Sequence, residues 1–483
     1  MKVREMASTT EGGAELSRKA RRDPKIIRSV MRETGIAAGP VASHSRNENL
    51  TIKRVYAETK PRPDGTEPLT FMPVILHQAV LWLTSGGLRD RETGMPLSSE
   101  FQTPRSEASP AVPKVCGPHR SASHGVGGIL YSLARLARLG IKDDRAIAFA
   151  NQAANWLLAH ATAGDQVRGL YFGEAGVALA LLEAIRGGLI DDGHWVRPYL
   201  YQTFSGELGC PDLIQGAAGQ GVAALQAAHL SAMSGPVGFA DRCADFLVAC
   251  QRRDGSWSSP ENVIATERRD SGFADETAGI AYFLAVHARL RASETSAAAA
   301  VLAGDWLLAQ CDPKLRSHAT AGRESWPLWC HGEWSIVTAL LALHELTGDA
   351  RWACGVRSML LDIRPEQVRQ ADLSQCLGLA GLAEIYLEAA RVLHDDVWTS
   401  RAHEIGATLA GLRRTQDHMT SWVIERTDHA TAEIMIRSGS IAHCLGRLHA
   451  GTGTRLGMPL SIDVDIVLPT APLRREAPAG QEG

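Results

Sequence analysis

The sequence predicts an all-α protein, an α/α toroid or double-layered helical barrel of seven helical-hairpin repeats, on three observations. One glycine-centred phrase recurs seven times, the copies stand far enough apart to hold one further helix each, and the intervening segments carry amphipathic helical patterns. The phrase is a glycine, two small residues and a second glycine, followed at once by an apolar helix. Its copies read HGVGGILYSL from His124, FGEAGVALAL from Phe172, QGAAGQGVAAL from Gln215, DETAGIAYFL from Asp275, HGEWSIVTALL from His331, LGLAGLAEIYL from Leu377 and IRSGSIAHCL from Ile436. The second-glycine register falls at 128, 176, 219, 279, 335, 381 and 440, so the gaps are 48, 43, 60, 56, 46 and 59 residues. Copies four, five and seven do not keep both glycines: Glu276 stands in the fourth turn, Ser335 in the fifth, and the seventh has neither glycine in register.

The glycine-led helices are apolar nearly all round, as an inner layer packed on both sides must be. Glycine at the turn allows positive φ and lets helix ends approach closely at a crowded rim. The segments DRAIAFANQAANWLLAHA, FADRCADFLVACQRR, AAAAVLAGDWLLAQC and TSRAHEIGATLAGLRR place apolar residues three and four apart with charges opposite, and read as outer, half-solvated helices. FMPVILHQAVLWL, Phe71 to Leu83, completes the outer layer as the partner of the first copy, which makes fourteen helices. The ring is expected over 117–460. Before it come a basic extension, 1–60, and a segment, 61–116, holding the first outer helix and a Pro- and Ser-rich linker from Gly94 to Pro113; a tail, 461–483, follows.

Composition agrees with a large soluble fold: 45% of the 483 residues are hydrophobic and 21% charged. The formal net charge of -3 divides into +6 over residues 1–60, from thirteen Lys and Arg against seven Asp and Glu, and -9 over the remainder. A basic arm on an acidic body either contacts an acidic partner or is simply solvated, and the simpler reading needs no nucleic acid. The nine cysteines form an odd set without a C-x-x-C pair, which points to a reducing, cytoplasmic setting. The longest apolar stretch, MPVILHQAVLWL, is interrupted by His77 and Gln78 and is too short to span a bilayer. No P-loop or protein-kinase signature occurs, so nucleotide chemistry is unsupported.

Several residues at the turns carry chemistry. Cys330-His331 lies at the fifth turn and Cys376 at the corresponding place in the sixth, 46 residues on. Two thiolates and an imidazole at one rim suit zinc with an open position for substrate, while buried cysteines are also common as small hydrophobes. Asp212, before the third copy, and Asp275 with Glu276, in the fourth, serve either as acids and bases or as helix caps. Trp326, Trp329 and Trp334 make an apolar wall near Cys330 or belong to the core, and His119 and His124 flank the first turn, where H-G is also a capping geometry. FLVACQRRDGSW, Phe246 to Trp257, resembles the Q-W motif of terpene cyclases, but it occurs once and no aspartate-rich motif lies near the ring centre. The DVD at Asp463 falls in the expected tail, and a helix-loop brace explains the string.

With repeats and paired cysteines in place, residues 117 to 460 resemble the lanthionine synthetase C-like family, the cyclases of lanthipeptide biosynthesis. WCHG at Trp329 to Gly332 and QCLGLAG at Gln375 to Gly381 are similar to that family's two metal-bearing turns, and RDRETGMPLSSEF from Arg89 resembles the approach to the ring in its kinase-fused members. The resemblance implies Zn²⁺ held by Cys330 and Cys376, with Leu377 where the family has its ligating histidine and Asp275-Glu276 where it has H-G. His331 then stands as a makeshift third ligand or as a proton donor, and Asp212 matches a functional aspartate. The implied reaction adds a peptide cysteine thiol to a dehydroamino acid, giving a thioether ring. It implies as partners a dehydrated precursor peptide and a separate dehydrating enzyme of kinase or lyase type. Leu377 and the Asp275-Glu276 pair leave as an alternative a catalytically inactive ring that binds precursor or partner; further off, the Q-W string and the carboxylates suggest a terpene-cyclase-like or carbohydrate-active barrel.

Overall fold

A computed structural model describes residues 71–101, 113–160, 168–257, 277–311, 333–363, 372–376, 378–423, 432, 434–435, 438–451 and 453–469. Fourteen helices appear among them: α1 Met72–Ser85, α2 Val126–Arg138, α3 Asp144–Ala159, α4 Glu174–Arg186, α5 Val196–Thr203, α6 Ala217–Ser231, α7 Gly235–Cys250, α8 Thr277–Arg291, α9 Glu294–Gln310, α10 Glu333–Thr347, α11 Ala350–Leu361, α12 Leu379–Leu393, α13 Asp396–Gly411 and α14 Ser438–Ala450. The even-numbered helices pack side by side in the order α2, α4, α6, α8, α10, α12, α14 and back to α2, closing an inner ring. Each odd-numbered helix from α3 to α13 runs back along the outside of the inner helix before it. The result is the seven-hairpin α/α barrel that the glycine phrase predicts.

The two layers start their helices differently. Asp143, Ser293, Asp349 and Asp395 cap outer helices with their side chains, accepting from Ala146, Ser296, Arg351 and Val397 N–H. The inner helices α2, α4, α6 and α12 have Gly125, Gly173, Gly216 and Gly378 at the N-cap and no side-chain cap. In three of them the preceding loop supplies the acceptors instead. Val126, Gly127 and Gly128 donate to His119, Arg120 and Ser121 carbonyls; Ala217, Ala218 and Gly219 donate to Cys210, Pro211 and Asp212; Leu379, Ala380 and Gly381 donate to Asp372, Leu373 and Ser374. This satisfies helix-start donors that would otherwise be orphaned at a crowded rim.

That arrangement explains the second glycine. A Cβ on Gly128, Gly176 or Gly219 would lie 2.1, 1.9 or 1.9 Å from the carbonyl oxygen of Ala122, Leu170 or Leu213, six residues back in its own loop. The same Cβ would press on the preceding copy, at Ile434, Ala122 and Leu170 respectively, so the contact is handed round the ring from the seventh copy to the first. Positive φ, expected from sequence, is not the reason: the four N-cap glycines are extended, with φ between -160° and -100°. Close approach alone demands glycine. Gly219→Ala is expected to cost about 1–3 kcal/mol through forced displacement of backbone, read as a lower denaturant midpoint with unchanged slope; an unchanged midpoint would show that the loop yields freely.

Three sequence expectations need correction. FMPVILHQAVLWL forms α1, but α1 packs chiefly on α14 and on the strand Met419–Ser421, so it is the outer partner of the seventh copy rather than the first. Residues 94–113, expected as linker, hold a short antiparallel pair at their ends, β1 Ser98–Phe101 with β2 Pro113–Cys116. Residues from Ser461 on, expected as tail, fold back through 469, and Ser461, Ile462, Asp463 and Ile466 are buried.

The Q-W string is a brace. Gln251 Nε2 donates to Gly255 and Ala299 carbonyls, and Trp257 Nε1 donates 2.8 Å to Leu247 O in the last turn of α7. The tryptophan half recurs after α13, where Trp422 Nε1 donates 2.7 Å to Leu409 O. There β3 Arg414–Gln416 and β4 Met419–Ser421 form a hairpin whose Asp417 and His418 both have positive φ, the two-residue turn that suits strand twist.

The inner helices carry a buried ionic belt that runs from their middles to their C-terminal turns. Arg135 donates to Glu183 (3.1 Å), Asp463 (2.6 Å) and the Gly457 carbonyl (2.7 Å), while Arg138 donates to Glu183 (2.9 Å) and Asp463 (2.6 Å). Arg135 Nε also donates to His443 Nε2, so the His443 proton sits on Nδ1 and bonds Glu384 at 2.9 Å. Arg447 joins Glu384 to Glu388, and Arg391 joins Glu388 to Glu345, carrying the belt through α4, α2, α14, α12 and α10.

Burial pushes the Asp463, Glu384 and Glu388 carboxyls up, but their arginine partners outweigh it and hold all three below the usual carboxylate range. Burial keeps His443 and His287 below the usual histidine range despite neighbouring carboxylates. Depressed carboxyls contribute fully above their unfolded value, about 4, and lose that contribution as pH falls toward the folded value. Histidines kept neutral make the unfolded state the better proton binder below about 6.5. Both effects have one sign: the urea midpoint is expected to fall between pH 7 and 5, then more steeply below pH 4. His443→Gln is expected to flatten the first limb, and an identical slope in that variant would remove the histidine from the account.

Candidate functional site

The glycine turns meet at one rim, joined by a backbone ladder that keeps the repeat register. Ser123 N–H donates to Tyr171 O (2.8 Å), Tyr171 N–H to Ile214 O (3.1 Å) and Cys376 N–H to Met435 O (2.9 Å). Each of these residues stands five before the second-glycine position of its copy, so the same point in one turn bonds the same point in the next. Cys376 is therefore a rung of the ladder, half-buried, with its backbone fixed to the seventh copy. Cys330 has the same place in the sequence of the fifth copy, five before Ser335, and lies outside the described residues, as do His331, Leu377, Asp275, Glu276, Trp326 and Trp329. Nothing is described of the Trp334 side chain either.

The residues one past the rungs also meet. His124 and Phe172, at matching positions in the first two turns, stack with ring centroids 5.3 Å apart and planes 14° from parallel. At this register the side chains of the first and second copies thus lie against one another. In the fourth, fifth and sixth copies the same register holds Asp275, His331 and Leu377.

Asp212 sits in the third turn, where its Oδ1 accepts from Gln215 N–H at 2.6 Å and Gly216 N–H at 3.2 Å. Ser121 does a related job in the first turn, its Oγ accepting from His124 N–H, so part of the role of Asp212 is to cap a turn common to the repeats. What a serine lacks is the charge. The Cys210 thiol hydrogen-bonds the Asp212 side chain, and burial followed by that carboxylate pushes the thiol well above the usual range. Cys210 is thereby a protonated donor that helps fix Asp212, a contact no spacing rule suggests. His119, at the place of Cys210 in the first turn, brings Nδ1 within 3.0 Å of Ser121 Oγ. Asp212 and Cys376 share the rim but belong to α6 and α12 turns that are not neighbours in the ring.

Among the described residues no three His, Cys, Asp or Glu side chains are grouped to hold a metal. Cys376 is the only described donor of the expected set.

A second constellation has the outline of a hydrolase triad. His287 Nε2 lies 3.0 Å from Asp241 Oδ1 and its Nδ1 3.0 Å from Ser296 Oγ. Ser296 is 1% exposed and also bonded to the hydroxyl of Ser293, the α9 cap, while Asp241 is held by Arg291. A nucleophile that no substrate reaches performs no acyl transfer; the group ties α7, α8 and α9 together.

The model of one protein family, described as lanthionine synthetase C-like protein, matches residues 120–410, which spans the first six turns. No curated protein matches the chain. Among solved structures, a nisin cyclase is 18% identical and aligns over 60% of this chain and 80% of its own, with a TM-score of 0.47. An unsaturated glucuronyl hydrolase specific for heparin is 10% identical over 79% of this chain and 96% of its own, with a TM-score of 0.40. Neither structural likeness is close enough to carry an argument about chemistry.

Proposed function

The chain belongs to the lanthionine synthetase C-like family, and from that premise we propose that it is a cyclase of ribosomal-peptide modification working at the glycine-turn rim. The observation that carries the reading is the coincidence of the family match with both cysteine turns and the Asp212 turn, all within 120–410. Its substrate is a peptide already dehydrated by a separate enzyme of kinase or lyase type. The reaction joins a peptide cysteine sulfur to the β-carbon of dehydroalanine or dehydrobutyrine; the thiol gives up its proton and the α-carbon receives one, so nothing else is consumed.

Cys330 and Cys376 are the residues to hold Zn²⁺, which when bound lowers the pKa of a substrate thiol toward neutrality. Asp212, fixed by two turn amides and the Cys210 thiol, is the group to receive the thiol proton, and His331 the group to return one to the enolate.

The test is incubation of purified protein with a dehydrated precursor, then thiol alkylation and mass spectrometry, alongside the zinc content of the protein. Ring closure leaves cysteines that do not alkylate, with no change in peptide mass. Full alkylation of every cysteine would reject the reading. Leu377 favours a second one, a ring that binds the precursor without modifying it; tight binding with full alkylation would select that instead.

A further inference from the structure

The end of the barrel opposite the glycine turns is closed by the chain itself. Residues 454–467 cross the C-terminal ends of the inner helices, with Leu456, Met458, Leu460, Ile462, Asp463 and Ile466 all buried. Three successive parts of this segment are pinned by side chains from different inner helices. Leu460 N–H donates to Tyr131 Oη of α2 and Ile462 N–H to Tyr282 Oη of α8, each at 3.1 Å. Asp463 N–H donates to Gln226 Oε1 of α6 at 3.2 Å, and its carboxylate takes Arg135 and Arg138 of α2, both of which also hold Glu183 of α4. Val467 N–H reaches His229 Nδ1 at the end of α6.

Leu460 and Ile462, two residues apart, are held by α2 and α8, which stand three places apart in a ring of seven, so the segment reaches across the opening rather than along its edge. Leu460 has φ +56°, an uncommon conformation for a leucine that persists only where the surroundings over-determine it. Most of the anchoring groups are themselves buried: Tyr131, Arg135, Glu183 and Gln226 are fully covered and Tyr282 is 8% exposed, while Arg138 and His229 at the margin are partly exposed. A backbone held at both amides and carboxylate by groups with no other solvent to turn to does not open as a surface loop does.

We propose that residues 454–467 are a permanent floor to the ring, so that a peptide reaches the glycine-turn rim from one face, as a loop, with neither end threaded through. Peptides blocked at both ends, by folded domains or by ring closure already made, are therefore substrates. The substrate half of this inference rests on the cyclase reading; the floor does not.

The test pairs two forms of one dehydrated peptide, one with free ends and one carrying a folded domain at each end outside the ring-forming segment, with ring closure followed by alkylation and mass spectrometry. Both are expected to be modified at rates within about three-fold of each other. Modification of the free-ended form with the blocked form more than about ten-fold slower would overturn the inference. If neither is modified, the cyclase reading falls and the substrate inference with it. Hydrogen exchange then still judges the floor: the Leu460, Ile462 and Asp463 amides are expected to exchange with the inner-helix amides, and exchange at the rate of a free peptide would overturn it. Tyr282→Phe, which removes one acceptor and little volume, is expected to speed exchange at Ile462 by about two- to ten-fold.

Discussion

Replacing Arg135 by alanine is expected to destabilise the protein by about 3–5 kcal/mol, the range found when one partner of a buried ion pair is removed. The guanidinium and both its carboxylate partners, Glu183 and Asp463, are without solvent exposure. Removal leaves two buried carboxylates to share Arg138, and takes a donor from the Gly457 carbonyl and from His443. Most of the cost is the desolvation of what remains rather than the worth of the bonds lost. Arg135→Met combined with Asp463→Leu is therefore expected to lose less than the two single changes summed, because no charge is then abandoned at that point. Denaturant midpoints of the four proteins measure this. A loss below about 1 kcal/mol for Arg135→Ala would mean that water reaches the belt.

Two changes at the sixth turn are expected to move zinc and ring formation together, the first change lowering both and the second raising both. Cys376→Ala removes a donor from a set already one short and should lower zinc affinity by at least the roughly 10- to 100-fold that even an outer partner is worth. Ring formation should fall below detection with it. Leu377→His introduces an imidazole next to Cys376, at the register where His124 meets Phe172 in the first two turns, and should raise zinc content toward one per chain and ring formation with it. Competition with a chelator of known affinity measures the first effect and mass spectrometry the second. Equal zinc content in all three proteins would place any bound metal elsewhere.

The barrel was legible because the physics that builds it leaves a local mark. A helix started against its own loop, with a carbonyl less than about 2 Å from where a Cβ would be, admits glycine and little else, and so Gly128, Gly176 and Gly219 recur at the spacing of the hairpins. Asp212 and Cys376 were legible for the same reason, as fixed offsets from those glycines. The belt was not. Arg135, Arg138, Arg391 and Arg447 fall in last helical turns, where arginine ordinarily serves the helix dipole in solvent, and apart from Glu388, three residues before Arg391, the carboxylates facing them lie 45 to 328 residues away along the chain. Asp463 was taken for tail because a short polar stretch near a Pro- and charge-rich terminus has the composition of one; only the cavity it fills shows otherwise. Cys210 stayed hidden because a thiol that bonds a carboxylate two residues on has no spacing to distinguish it from a buried small residue.

The pairing of α1 with α14 has a consequence for how the chain is made. The buried face of α1, with Met72, Leu76, Ala79 and Leu83 without exposure, emerges from the ribosome roughly 350 residues before the helix that covers it. At synthesis rates of about 5–20 residues per second that face waits some 20–70 s for its partner. Six hairpins can dock in order as they appear, but the barrel closes only when the last helix meets the first. Linking the segment after residue 469 to the segment before α1 and reopening the chain ahead of α14 would make that contact the earliest instead of the latest.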